Sequence, residues 1–207
     1  MVVELKKGGR GVILEKKPNQ SLGRIVVNLN WNQNPQSPQK KGLLSSILGT
    51  SSQGIDLDLG CLIEMKNGTK GAIQALGGNF GSYENFPFVQ LDKDDRTGSS
   101  TDGENIFING NNLSEIKRIL LYAFIYEGVP NWSQTDGIVT IKPSNGDNIV
   151  IKLDEHDNSK IMCALALLEN VKDETFGIER VVKYFDGHQQ MDRAFNWGLN
   201  WRPGRKD

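Results

Sequence analysis

Apolar and polar positions along this chain alternate mostly with a period of two rather than 3.6, the signature of strands with one face buried. Eleven short runs rich in Val, Ile and aromatics carry it: Val2–Leu5, Val12–Leu14, Arg24–Asn30, Asp56–Glu64, Gly71–Ala75, Asn105–Ile108, Ile119–Tyr126, Ile138–Lys142, Asn148–Leu153, Ile161–Leu168 and Arg180–Phe185. Gly, Asn and Asp punctuate them. Asn145-Gly146 between GIVTIK and NIVIKL predicts a tight hairpin, because both residues tolerate the positive φ such a turn needs. Helical spacing is confined to Leu113–Ile119, with Asn112 or Ser114 as its cap, and His188–Trp197, with Met191, Ala194 and Phe195 on one side. Trp197, Leu199 and Trp201 then alternate, which predicts a last strand. The predicted fold is mostly β: an antiparallel sandwich of about ten short strands with one or two short helices.

The 207 residues suit one domain, with no tandem repeat and no second unit. Between Trp31 and Gly54 the composition shifts to Gln, Ser, Pro and Lys, which predicts a flexible or partly helical insertion at about 32–54. Its Leu43–Leu48 stretch can form an amphipathic turn that docks on the domain or on a partner. A pI near 6.2 provides no basic field for nucleic acid. No apolar stretch has the length of a membrane span, and MVVELKKGGR does not read as a cleavable leader. Cys61 and Cys163 each sit in an apolar run and read as buried free thiols of a reducing, cytoplasmic compartment.

Charge changes the picture at Asp92–Asn105, DKDDRTGSSTDGEN. Five acidic residues against Lys93 and Arg96 leave the loop near −3, while the whole chain is near −1. Such crowding has two readings, a hard cation held by carboxylate and hydroxyl oxygens or a solvated acidic turn. A second acidic turn, Asp154–Asn158, offers a secondary cation site or a zinc ligand in His156, against an ordinary solvated turn between strands. Tyr83, Phe86, Phe88 and Trp132 lie in Gly/Asn-rich loops, where they either grip a partner or cap the sandwich. No phosphate loop, nucleophile elbow or HExxH motif occurs, and the carboxylates lie among acids and hydroxyls rather than in an apolar pocket, which argues against an enzyme.

Several stretches resemble the TerD family of tellurium-resistance and stress proteins. LKKGGRGVILEKK followed by LGRIVVNLNW matches its glycine turn between strands, GIDLDLGCLI its Asp-Leu-Asp strand, and DDRTGSSTDGENIFIN its acidic loop leading into a strand. LYAFIYEG, VTIKPSNG and IKLDEHDNSKIMCALAL extend the match, and HQQMDRAFNWGLNWRPGRK looks most like the TerA branch. The resemblance implies a non-enzymatic, calcium-binding β-sandwich of stress operons. It implies one or two Ca2+ ions, held through Asp56, Asp58, Asp94, Asp95 and Thr97, with Ser99, Asp102 and Glu104 completing the loop. This loop has fewer carboxylates than the family's Gly-Asp-Gly-Asp-Asp-Glu run, which implies weaker affinity or a single ion. The implied partners are sister stress proteins or a membrane-associated complex, without insertion into the membrane. The alternative is a metal-free scaffold working through its aromatic loops and the insertion.

Overall fold

The computed structural model describes residues 1–16, 20–32, 55–92, 103–126 and 130–204. Among them the strands are β1 (Val2–Glu4), β2 (Val12–Ile13), β3 (Arg24–Asn30), β4 (Leu57–Met65), β5 (Lys70–Ile73), β6 (Gly81–Ser82) and β7 (Val89–Leu91). They continue with β8 (Glu104–Asn109), β9 (Ile116–Ile125), β10 (Ile138–Pro143), β11 (Asn148–Lys152), β12 (Met162–Val171) and β13 (Thr175–Phe185). One sheet runs β1-β11-β10-β3-β8-β7-β6 and the other β2-β13-β12-β9-β4-β5. Every strand pair is antiparallel except β1 with β11, where Val2 lies beside Asn148 in parallel register.

The side-chain period builds the core between the sheets. Ile25, Val27 and Leu29 of β3 point inward from one sheet and meet Leu57, Leu59, Cys61 and Ile63 of β4 from the other. The predicted hairpin forms, with β10 and β11 paired from Ile141↔Ile149 to Ile138↔Lys152. The short β6 and β7 carry too little periodicity to be seen in sequence.

Strand β4 is buried along its whole length, on both faces. The reason is a third layer. Helix α1 (His188–Ala194) and the chain after it cover the outer face of the six-stranded sheet, enclosing Leu62, Leu120, Tyr122, Phe124, Met162, Phe185, Met191 and Trp197. Here two sequence expectations fail. Residues 197–204 form no strand, because the amides of Gly198 and Leu199 donate to the Asp192 carboxylate at 2.8 and 3.0 Å rather than to a neighbouring strand. The helix expected over Leu113–Ile119 is a 3-10 turn (Gly110–Glu115) running into β9, and Asn109 caps it by accepting from the Asn111 N–H, in place of Asn112 or Ser114. Ile116 and Ile119 are claimed by the core, which draws EIKRI into an extended strand. Among the described residues no helix is long and apolar enough to cross a membrane.

Candidate metal centre

Three strand ends and the acidic loop's two stems meet at one end of the sandwich. The Trp31 indole N–H donates to the Ile55 carbonyl at 2.8 Å, tying the end of β3 to the approach to β4. The Asp92 N–H donates to the Asn105 carbonyl at 2.8 Å, so the loop leaves and re-enters the sheet between neighbouring residues. Gly103 makes the return with φ +71°, where a Cβ would stand 2.0 Å from the Leu29 carbonyl oxygen, so no other residue fits. Glu104 is thereby held opposite Leu29, and the Asn28 amide donates to Asn105 Oδ1 at 3.0 Å beside it.

From this position Glu104 reaches the other sheet. Strand β5 stops at Ile73, opposite Cys61, so among the described residues no strand pairs with the edge of β4 beyond it. Glu104 Oε2 takes over there, accepting the Leu59 N–H at 2.5 Å. One carboxylate therefore joins both sheets next to the Asp56-Leu57-Asp58 segment. Asp56 is half-buried just before β4, and Asp58 is 0% exposed within it. Leu57 and Leu59 face the core as expected, but the exposed strand face that served as the bland alternative for the two aspartates does not exist at Asp58. A carboxylate taken fully out of water is costly unless its surroundings favour the anion. The buried Tyr122 phenol nearby is pushed well above its ordinary range, by burial first of all.

The structure therefore brings Asp56, Asp58 and Glu104 to one end, whereas Asp94, Asp95, Thr97, Ser99 and Asp102 lie outside the described residues. Among the described residues no group of three His, Cys, Asp or Glu is placed to hold a metal by itself. The donors present suit a hard cation in kind, since all are oxygens. Cys61 and Cys163 are free thiols buried in the core, and burial pushes both up to about 12.

The other candidates resolve differently. In the second acidic turn Arg180 donates to Asp154 at 2.5 Å and to Glu155 at 3.2 Å, and Lys7 reaches Glu155 at 2.6 Å. The hydrogen bond from Lys7, with that from Arg180, holds the Glu155 carboxyl below its usual range. This turn is a charge-balanced clasp, and His156 points to solvent. Of the loop aromatics, Trp132 is fully buried with its indole N–H on the Lys160 carbonyl, and Tyr83 and Phe88 are half-buried. Phe86 alone of the four is open, at 51% exposure.

Sequence reasoning missed a polar cluster under the third layer. Gln74 Oε1 accepts from the Tyr122 hydroxyl at 2.6 Å and faces His188 Nε2 at 2.8 Å. Buried Asp192 accepts from Trp201 Nε1 as well as from the two tail amides. Contacts across 48 and 114 residues leave no local signal in the sequence.

No family model matches the chain. A curated relative, the tellurium resistance protein TerA of an Alcaligenes species, is 45% identical over 204 residues, 99% of this chain. The chain spans 58% of that relative's length. Among solved structures, a homologue of the telluride resistance protein TerD from Streptomyces coelicolor aligns with a TM-score of 0.51 at 14% identity, covering 82% of this chain and 94% of that one. A protein of unknown function aligns equally well, at 12% identity over 81% and 92% of the two chains. At such identities the two structures speak to the fold alone.

Proposed function

Since the chain belongs to the TerA/TerD tellurium-resistance family, we propose that it is a non-enzymatic, cytoplasmic, calcium-binding module that works by metal-dependent assembly with partner proteins. The observation that carries this reading is the convergence of Asp56, Asp58 and Glu104 on one end of the sandwich, at the stems of an acidic loop. The reading needs further oxygens from Asp94, Asp95, Thr97, Ser99 and Asp102 to complete the six to eight that calcium takes. A Ca2+ held by these residues would supply positive charge that lets their carboxylates stay ionised together. Glu104 joins β8 to β4 across the two sheets, and Gly103 sets the angle of the chain's return. The assembly partners are sister stress proteins or a membrane-associated complex. The metal-free scaffold reading is weaker, because its aromatic grip retains only Phe86 in the open.

The test is sedimentation of the purified protein with and without calcium, alone and with candidate sister proteins, repeated for the Asp94→Ala plus Asp95→Ala variant. The reading expects a calcium-dependent complex that the double variant loses. Assembly that ignores both calcium and the double variant would leave the scaffold and remove the metal.

A further inference from the structure

The third layer borders an open cleft that the family reading does not use. After α1 the chain is pinned twice. Asp192 takes the amides of Gly198 and Leu199 and the indole N–H of Trp201. Further on, Gly204 packs against the Leu76-Gly77 turn so closely that a Cβ there would stand 3.3 Å from Leu76 Cγ. Between helix and tail lies a cleft of about 710 Å³, lined among others by His188, Gln190, Arg193, Trp201 and Arg202. That volume falls within the ~300–1,000 Å³ typical of small-molecule sites.

Its chemistry is specific. Arg193 and Arg202 form no ion pair among the described residues, so two guanidinium groups line one concave surface with their charge unspent. Guanidinium is the side-chain group best shaped for carboxylate or phosphate. Asp186 also lines the cleft, and its carboxylate is engaged by Lys160 at 2.6 Å. Trp201 and His188 provide aromatic surface, with ring centres 4.7 Å apart. The imidazole is oriented by its surroundings. Gln74 Nε2 donates to the Leu76 carbonyl, so Gln74 Oε1 faces His188 and the imidazole Nε2 must carry the hydrogen. Nδ1 is then an acceptor with no partner among the described residues. Burial pushes the His188 pKa down to about 4, so this acceptor persists at neutral pH.

We propose that this cleft binds a small anion carrying a flat nitrogenous ring, of the nucleoside monophosphate class. Arg193 and Arg202 take the anion, Trp201 takes the ring face, and His188 Nδ1 accepts from a ring or exocyclic N–H. The site lies on the outer face of the six-stranded sheet and needs no calcium, so its test is independent of the metal reading.

The experiment titrates the chain, stripped of calcium, with adenosine monophosphate, adenosine and inorganic phosphate separately, following tryptophan fluorescence and calorimetric heat. The expected result is saturable binding of the nucleotide in the sub-millimolar range, with adenosine and phosphate each at least about tenfold weaker. Arg193→Gln plus Arg202→Gln changes two exposed side chains, keeps the fold, and should weaken the nucleotide to the level of adenosine. No saturation by ~10 mM nucleotide, equal affinity for phosphate alone or adenosine alone, or an unchanged affinity in the double variant would each overturn the proposal.

Discussion

Strand β4 carries two acids on its outer face, Asp58 near one end and Glu64 near the other, and the protein treats them in opposite ways. Six residues apart, they share a face by the period of two. Glu64 sits in a ready-made clasp: Lys117 at 2.7 Å, Arg118 at 2.6 Å, and Arg118 itself stacked 4.0 Å over the Trp197 ring while donating to the carbonyls of Phe195 and Asn196. Burial pushes its pKa up, and the hydrogen bonds from the two cations outweigh that and hold the carboxyl below its usual range. Asp58, equally sequestered, lies instead where Asp56, Glu104 and the stems of an acidic loop gather. One acid is a fastener for the third layer. The other adds a carboxylate to the acidic end where the reading proposed above places a cation. Burial of a carboxylate says little about function until the charge around it is known.

Breaking the fastener should produce the largest effect. Glu64→Gln leaves Lys117 and Arg118 with a neutral partner in a part-buried cluster, and losing charge-assisted hydrogen bonds there costs about 1.5–3 kcal/mol. Urea unfolding should register that loss with an unchanged m-value. The pair also gives a pH signature: because the folded pKa of Glu64 is depressed, its stabilisation is present above the unfolded value of 4.5 and fades as pH falls through the folded one. The Gln variant should lose that part of the acid sensitivity.

The other acid should respond to metal. Asp58→Asn should abolish a calcium-dependent rise in melting temperature, worth about 2.7 kcal/mol in the parent protein when calcium is ~100 times Kd, whereas Glu64→Gln should keep it. A calcium response that survives in Asp58→Asn and disappears in Glu64→Gln would invert the comparison.

An effect confined to acid pH belongs to His188 beneath the same layer. Its folded pKa of about 4 lies below the ordinary 6.5, so the unfolded chain takes up the proton first. Stability is therefore complete above pH 6.5 and declines as pH falls toward 4, by at most about 1.4 kcal/mol per pH unit. His188→Gln, which can still donate to Gln74, should flatten that slope in melting curves taken across the interval. Smallest of all, Phe86→Ser alters an exposed ring and should shift stability by no more than about 0.5 kcal/mol.

What the sequence revealed follows from how local each signal is. Arg24–Asn30 alternates over a complete strand and was legible to the residue, as was the turn at Asn145-Gly146. EIKRI was not, because two isoleucines three apart satisfy a helix as well as a strand. Only the core contacts of Ile116 and Ile119 decide between them. Trp197, Leu199 and Trp201 alternate like a strand, yet a single buried carboxylate, Asp192, captures the amides that a strand would have paired. The acidic end was legible as composition and as the Asp56/Asp58 spacing. That Glu104 bridges to the Leu59 amide was not, since it depends on β5 stopping short on the far side of the sandwich.

The central claim is that the Asp58 end takes a hard cation, and a calorimetric titration of chelator-stripped protein with calcium, repeated with magnesium, tests it most directly. The account predicts binding of calcium in the micromolar range, with preference over magnesium and a melting temperature that climbs with saturation. No heat and no thermal shift up to millimolar calcium would contradict it.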